Sequence, residues 1–294
     1  MADLSLADRL VMRTLRPLPA REFTYLTYLW RFRSWPNLRK PTTFNEHIQA
    51  HKLFDRDPLL TLTADKYAVR DYVANRIGEQ YLVPMLQYAR HPEDLNLADL
   101  PQSFVLKATH GNSATLIVRD KSTADWEQAV NTMNAWLKTN WYKFNKEWAY
   151  QAIPPGLIVE RFLDDDGAPP PDYKFFVINH RIRLVQVDVG RFGDHQRILL
   201  SPSWRPLAVQ YGFPRPGSIE RPPHLGEMLR IAEELSADFP IVRVDLYDHQ
   251  GQVLFGELTH YPEAGTVPFI PHMFDQLLGD MWTSDREIPA HYFL

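Results

Sequence analysis

Two carboxylates near the C-terminus, those of Asp245 and Glu257, have the types and spacing that could bind a metal ion. Each lies in a short apolar segment that alternates as a β-strand does, and the turn-forming residues 249–252 lie between them. A hairpin therefore brings two acids together in an apolar setting, where they repel each other and need a counter-charge. A divalent metal is the usual one, and hard oxygen ligands suit Mg²⁺. Spacing alone leaves open a pair of half-exposed strand acids.

Three lysines, Lys66, Lys107 and Lys174, each lie beside a strand-like segment or a polar loop. Lys107 lies near the end of the apolar segment 103–108 and just before a loop of small residues, 109–114. Such loops hold phosphate oxygens with backbone N–H groups, and a lysine adds a positive charge. Taken alone, a lysine at a strand end is more often a surface residue whose stem lies along the protein. The loop is not a P-loop, because it has one glycine and no Gly-Lys-Ser/Thr sequence.

The elements that must position these side chains are helical in the N-terminal part of the chain. Residues 1–35 show helical patterns. Thr43, followed three residues later by Glu46, forms a capping box, which starts a helix that runs to about Phe54. A further helix is predicted over residues 65–77.

Strands dominate the remainder of the chain. The predicted strands are 103–108, 115–118, 156–163, the halves of a hairpin over 172–188 that turns at 179–180, and the halves of the Asp245/Glu257 hairpin. A tryptophan-rich helical stretch follows the second strand, residues 201–223 are irregular and rich in proline, and residues 224–237 form an amphipathic helix. Helices and antiparallel hairpins in separate blocks predict an α+β fold.

Composition excludes several classes of protein. The chain has 294 residues, of which 45% are hydrophobic and 23% charged, as in ordinary globular proteins. The net charge of −4 argues against a nucleic-acid partner. The chain has no cysteine, which excludes disulfides and thiolate chemistry and leads us to expect a cytoplasmic location. No apolar run is long enough to span a bilayer, and arginines interrupt the N-terminus where a signal peptide would be apolar.

The first 40 residues are basic and rich in aromatic side chains, with eight Lys or Arg against three Asp or Glu. One interpretation is a peripheral surface for an anionic polymer or lipid. The other, which helical spacing favours, is an amphipathic helical pair whose aromatic residues pack on the main domain while the arginines face water.

Taken in order, these elements resemble the ATP-grasp superfamily. The matching residues are Lys66, Lys107, the loop residues His110, Gly111, Asn112 and Ser113, the strand end and hinge Glu160, Arg161, Phe162 and Leu163, the acid Asp172, and Arg243, Asp245, Glu257, Thr259, Pro262 and Gly265. Within the superfamily the chain resembles the teichuronopeptide-biosynthesis (TupA-like) group from about residue 40 onward. That group is indicated by residues 43–46, 64–66, 172–176, 186–188 and 243–259.

The resemblance implies an ATP-grasp fold, in which two α+β subdomains, here residues 61–158 and 159–294, clasp ATP. Residues 1–60 would be a helical N-terminal extension, too short and too helical for the α/β domain that often precedes an ATP-grasp fold. Lys66 would lie on a helix before the first strand.

The resemblance also implies roles for the matching residues. The loop, the hinge, Asp172 and the three lysines would bind ATP, with hinge backbone groups on the adenine edge and Asp172 on the ribose. Asp245, Glu257 and Thr259 would hold Mg²⁺ or Mn²⁺, and Arg243 and Lys174 would be catalytic. Thr259 replaces the usual Asn, which leaves open whether one or two metals bind.

The implied activity is a carboxylate–amine ligase that forms an amide through an acyl phosphate and modifies a cell-surface polysaccharide or its precursor. The carboxylate would belong to a uronic acid or an amino acid, and the oligomeric state is not predicted. The alternatives are a phosphotransferase on the same fold, and a glycosyltransferase or polysaccharide-binding protein. A metal-dependent glycosyltransferase would need an Asp-x-Asp motif, and the run of Asp164, Asp165 and Asp166 lies in a proline-rich loop that favours solvation.

Overall fold

A computed structural model describes residues 5–164, 169–190 and 193–294. Asp165 and Asp166, from the acidic run, lie outside the described residues. The helices of the described part are α1 (Leu6–Leu15), α2 (Ala20–Phe32), α3 (Phe44–Phe54), α4 (Pro58–Ala64), α5 (Val69–Ile77), α6 (Trp126–Lys138), α7 (Tyr142–Asn145), α8 (Leu225–Ser236) and α9 (Met273–Asp280). Short 3₁₀ turns include Trp148–Gln151 and Pro262–Gly265. None of these helices has the length and hydrophobicity needed to cross a bilayer.

The strands form two main antiparallel sheets. Their bounds are β1 (Met85–Ala89), β2 (Phe104–Ala108), β3 (Thr115–Val118), β4 (Leu157–Arg161), β5 (Asp172–Ile178), β6 (Arg181–Val189), β7 (Gln196–Leu200), β8 (Gln210–Tyr211), β9 (Ile241–His249), β10 (Gln252–Thr259) and β11 (Phe269–Ile270). The smaller sheet has the order β1-β4-β2-β3 and the larger has the order β10-β9-β5-β6-β7, while β8 and β11 pair separately. Mixed helices and antiparallel sheets confirm the α+β class.

Each main sheet has its own hydrophobic core. The larger core includes fully buried Phe175 and Val185 on one face of the five-stranded sheet and Ile231 of α8, which packs against β5, β6 and β9. The smaller core joins β2 and β4 to Met133 of α6 through side chains such as Leu106. Burial of each large apolar side chain contributes about 1.5–3 kcal/mol as an upper value. Both sheets are therefore rigid platforms for the polar side chains on their other faces.

The predicted hairpins are confirmed. β5 and β6 turn at Asn179 and His180, both of which have positive φ. β9 and β10 turn at Gln250 and Gly251, and the register pairs Glu257 with Asp245. The capping box of Thr43 and Glu46 also forms, and α3 ends at Phe54.

The helix predicted over residues 65–77 is wrong at its start. Asp57 and Pro58 begin α4 earlier, and Asp65 ends that helix with an extended backbone. The Asp65 carboxylate accepts a hydrogen bond of 2.9 Å from the Tyr67 N–H, which closes a local turn before α5 starts at Val69. Lys66 therefore lies in the turn between two helices.

Other elements escaped prediction because they are short or lack alternation. Residues 201–223 contain β8, whose two residues pair with β11. β1 and β7 are edge strands of the two main sheets, and the C-terminal helix α9 packs against α3. The subdomain boundaries stay a prediction. The one at residues 158/159 falls inside β4, which pairs with both β1 and β2.

The N-terminal helices pack on the main body through aromatic side chains, as the favoured interpretation predicts. Phe23 and Tyr28 are buried, although Trp35 is 64% exposed. Arg31 differs from the prediction that the arginines face water. Its Nε donates to the Thr266 carbonyl at 3.0 Å, and its Nη1 lies 3.0 Å from a carboxylate oxygen of Asp8.

Candidate active site

The register of the larger sheet gathers polar side chains on one face. Glu257 pairs with Asp245, Asp245 with Lys174, and Lys174 with Gln186, in one row across four strands. Asp172, Asp188 and Arg197 form a second row across β5, β6 and β7. Because side chains two residues apart on a strand share a face, the two rows lie side by side. Residues far apart in sequence thereby meet on a single surface.

Asp245 is the centre of the first row. Arg243 donates to both of its carboxylate oxygens at 2.7 Å, and Lys174 Nζ donates to Oδ2 at 2.7 Å. All three side chains are buried. Burial alone would lower the pKa of Arg243, but Asp245 and then Glu257 outweigh burial and raise its pKa. Arg243 is therefore a permanent cation whose plane is set by a bidentate carboxylate.

Glu257 and Thr259 extend the acidic group toward solvent. Glu257 Oε1 accepts from Thr259 Oγ1 at 3.0 Å and from Arg243 at 3.3 Å, and its side chain is 40% exposed. Asp245, Glu257 and Thr259 thus present hard oxygens on adjacent strands, which is the donor set that Mg²⁺ accepts. No group of three His, Cys, Asp or Glu side chains within the described ranges is placed to hold a metal. A metal at these oxygens would take its other ligands from phosphate or water.

The smaller sheet presents cations to the same space. Lys107 Nζ lies 2.6 Å from Glu160 Oε2, and Arg70 Nη1 lies 3.2 Å from Glu160 Oε1. Lys66 Nζ donates to the Gly111 carbonyl. Burial lowers the pKa of Lys66, while the Glu257 carboxylate opposes that shift. The turn between α4 and α5 therefore reaches the small-residue loop, since the Lys66 N–H also donates to the Thr109 carbonyl at 3.0 Å.

The small-residue loop divides into buried and cavity-facing halves. His110 is buried, and its Nε2 lies 3.1 Å from the Trp136 carbonyl oxygen. A Cβ on Gly111 would lie 2.3 Å from the Trp141 ring, so only glycine fits beneath that ring. Asn112 and Ser113 face the cavity, and Ser113 has a φ of 57°.

The predicted hinge follows β4. The Arg161 N–H already donates to the Pro84 carbonyl at 3.0 Å, which leaves the next two residues to offer backbone groups. Phe162 and Leu163 are buried, and Leu163 packs with Val83 and Leu254. This end of the space between the sheets is therefore apolar.

A cavity of about 800 Å³ lies between the two sheets and joins these parts. The sequence-predicted residues that line it are Lys66, Lys107, Asn112, Ser113, Glu160, Arg161, Phe162, Leu163, Asp172, Lys174, Arg243, Asp245, Glu257 and Thr259. His110 and Gly111 do not line the cavity, because they belong to the buried half of the loop. The structure thus brings together all but two of the predicted site residues.

Comparison with protein families identifies the chain. Residues 46–283 match the TupA-like ATP-grasp family. The protein belongs to this family. It therefore has an ATP-grasp fold. A search of curated proteins finds no match.

Solved structures that are similar to this ATP-grasp chain include three ligases. D-alanine–D-alanine ligase from Bacillus anthracis complexed with ATP has 15% identity and a TM-score of 0.42, and the match covers 69% of this chain and 57% of that one. The ATP-grasp ligase PsnB complexed with minimal precursor has 13% identity and a TM-score of 0.39, with 69% and 53% covered. N5-carboxyaminoimidazole ribonucleotide synthetase from Thermus thermophilus has 15% identity and a TM-score of 0.37, with 68% and 45% covered. The chain spans less than two thirds of the length of each.

Sequence reasoning missed a second charged group in the ATP-grasp cavity. Arg197 is buried and donates to both oxygens of Asp188, at 2.6 and 3.2 Å, and its Nη1 lies 2.9 Å from Glu263 Oε1. Burial would raise the pKa of Asp188, but His195, Arg197 and Lys174 outweigh burial and lower its pKa. Polar and apolar residues alternate over residues 186–188, which indicates that Asp188 lies on the polar face of a strand. Nothing in the sequence signals Glu263, whose φ of 47° turns it into the cavity.

Proposed function

We propose that this protein is an ATP-dependent ligase that joins a carboxylate to an amine through an acyl phosphate and releases ADP and phosphate. The observation that carries the proposal is the cavity of about 800 Å³ with complementary walls. Lys66 and Lys107 supply cations from one side, and Arg243 with Asp245 and Glu257 supplies a cation and acidic oxygens from the other. A transferring phosphoryl group needs both, because its negative charge must be offset while it is held in line.

The nucleotide would lie with its base against the apolar hinge. Backbone groups of Phe162 and Leu163 would pair with the adenine edge, and the buried Asp172 carboxylate would accept hydrogen bonds from the ribose. The loop at Asn112 and Ser113 and the lysines would hold the phosphates. Lys107 would share its ammonium group between Glu160 and a phosphate oxygen.

The donor set of Asp245, Glu257 and Thr259 fits Mg²⁺ or Mn²⁺. The fit rests on two carboxylates and a hydroxyl on adjacent strands that line the cavity. When bound, the metal would neutralise phosphate charge. Lys174 Nζ donates a hydrogen bond to Asp245 and lies 3.6 Å from a carboxylate oxygen of Asp172 and 3.9 Å from one of Asp188. Its positive charge therefore reduces the repulsion among these three buried acids.

The chemistry follows from this arrangement. A carboxylate oxygen of the substrate attacks the γ-phosphorus, the bond to ADP breaks, and an acyl phosphate forms. Arg243, whose plane is set by Asp245, would hold the acyl phosphate oxygens through its outward donors. An amine then attacks the acyl carbon, the bond to phosphate breaks, and the amide forms with loss of one proton from nitrogen. Positioning and fixed charges supply most of the rate.

The substrates we propose are a uronic acid or an amino acid as carboxylate and an amine, one of them part of a cell-surface polysaccharide or its precursor. The support is membership of the TupA-like family. The cavity also extends beyond the nucleotide residues to Arg31 and Met12 of the N-terminal helices and to Tyr150, which leaves room for a second and third substrate.

The test is a matrix of uronic acids against amino acids and amines, with ADP and free phosphate both measured. A ligase releases both only when carboxylate and amine are present together. A phosphotransferase releases ADP without equal phosphate and needs no amine, which would overturn the proposal. Stabilisation by UDP-sugars in place of ATP with Mg²⁺, measured as a shift in melting temperature, would point instead to a glycosyltransferase.

A further inference from the structure

Glu147 is a buried acid in the cavity that the chemistry above does not use. It comes directly before the 3₁₀ turn Trp148–Gln151, and its backbone carbonyl accepts from the Tyr150 N–H at 3.2 Å. The residue is 4% exposed and lines the cavity together with Tyr150 and Asn145. Its carboxylate lies close enough to Tyr261 and Glu263 for their charges to interact, and this end of the cavity is the one that these residues line.

The carboxylate of Glu147 lacks a direct cationic partner. Across residues 5–164, 169–190 and 193–294, no Lys, Arg or His nitrogen lies within 4.0 Å of its oxygens. Asn145, two residues earlier, lines the same cavity and favours the charged form of the carboxylate. Lys52 of α3, which is buried and donates to the Ala264 carbonyl at 3.2 Å, attracts the carboxylate through its charge. Glu147 is thus a desolvated acid with spare capacity for a ligand.

Groups from every element around Glu147 act on its charge. Lys52 faces it from α3, Glu263 from the turn Pro262–Gly265, and Tyr150 and Tyr261 from the cavity wall. Burial raises the pKa of Glu147 to about 7, since the attraction of Lys52 only partly offsets burial and the repulsion of Glu263 adds to it. An acid that changes charge near neutrality is suited to accept a proton.

We propose that Glu147 is the general base for amide formation, and that the acceptor is a primary amine that enters this end of the cavity as an ammonium ion. The inference rests on the proposed ligase function. The ammonium donates one proton to the Glu147 carboxylate and becomes a free amine, whose lone pair attacks the acyl carbon. The carbon–oxygen bond to phosphate then breaks, phosphate takes the second nitrogen proton, and Glu147 returns its proton to water.

Hydroxylamine separates a base from a merely structural acid, because its nitrogen is largely unprotonated at neutral pH and needs no base. With the carboxylate found in the substrate matrix, we expect Glu147→Gln to form the hydroxamate at nearly the wild-type rate. Amide formation with an alkyl amine should fall by roughly 10²-fold or more. In the wild type, the amide rate should rise with pH through about 7, and this rise should move to the pKa of the amine in the variant.

The controls distinguish failure of the general-base role of Glu147 from failure of the proposed ligase function. Glu127→Gln makes the same chemical change at an exposed position of α6 and should leave both rates unchanged. Equal loss of hydroxamate and amide in Glu147→Gln, or an unchanged amide rate and pH profile, would overturn the role of Glu147 while leaving the ligase intact. If the wild type forms no hydroxamate with any carboxylate, the ligase function itself fails, and this inference fails with it.

Discussion

Lys107→Ala tests whether the lysine of β2 binds phosphate. The Lys107 ammonium lies in the cavity and is held by Glu160 at 2.6 Å, with 21% of its side chain exposed. A charge-assisted hydrogen bond is worth about 1.5–3 kcal/mol, and about 1.4 kcal/mol corresponds to a factor of ten in rate. We therefore expect ATP turnover to fall by roughly 10-fold to 10²-fold, measured as kcat/KM for ATP in a phosphate-release assay.

The fold should survive this change. Arg70 remains 3.2 Å from the other oxygen of Glu160, so the acid keeps one cationic partner. The loss of the Lys107 contact should cost about 1 kcal/mol of unfolding free energy, out of roughly 5–15 for a typical domain. Lys138→Ala, at an exposed position of α6, is the matched control and should change neither quantity. Turnover near the wild-type value in Lys107→Ala would remove this lysine from the phosphate site.

Three further changes test other parts of the site and the fold. Glu257→Gln keeps the shape of a metal ligand but removes its charge, so Mg²⁺-dependent turnover should be lost; full activity of the wild type in EDTA would refute the metal site. Burial raises the pKa of Asp275 from 3.8 to about 6, so ionising this carboxyl destabilises the folded protein as pH rises from about 4 to 6. In urea unfolding, the free energy of unfolding of the wild type should fall relative to that of Asp275→Asn by up to about 3 kcal/mol over that window, and a constant difference would contradict this. Neutralising exposed Arg33 and Arg39 together should raise the KM for an acidic acceptor and weaken the salt dependence of that KM, without changing the KM for ATP. An unchanged acceptor KM would refute electrostatic attraction. Arg31 is left out because it holds the Thr266 carbonyl.

The parts of the site that could be predicted from sequence are those carried by local patterns. Alternating apolar residues around Asp245 and Glu257, with Gln250 and Gly251 between them, determine both the hairpin and the face on which the acids lie. The order of motifs then allowed distant residues such as Lys107 to be assigned to the same site, although no local signal connects them.

The parts that could not be predicted depend on non-local register or unusual backbone. Arg197 reaches the cavity because β7 pairs with β6, and an edge strand of five residues between loops has no distinctive pattern. Lys66 was placed on a helix because its neighbours favour helices, whereas the side chain of Asp65 competes for the backbone and breaks the helix there. Glu147 lies in a tryptophan-rich stretch where burial of an acid is not readable from composition.

The turn Pro262–Gly265 shows why the N-terminal helices belong to the site. Glu263 and Ala264 have φ values of 47° and 55°, which costs about 1–2 kcal/mol for each residue. Hydrogen bonds from α3 offset this strain. Gln49 Nε2 donates to the carbonyls of Ala264 and Gly265 at 3.1 and 2.7 Å, and Lys52 Nζ also donates to the Ala264 carbonyl.

The N-terminal helices also hold the two residues that follow the turn. Arg31 of α2 holds the Thr266 carbonyl at 3.0 Å, and Asn45 of α3 holds the Val267 carbonyl at 3.2 Å. At about 0.5–1.5 kcal/mol each, the bonds to these four consecutive carbonyls are of the size needed to balance two left-handed residues. The side of the cavity that carries Glu263 therefore has its shape because α2 and α3 hold the backbone there. The N-terminal segment, which the sequence predicts to be an extension of the fold, therefore shapes one wall of the cavity.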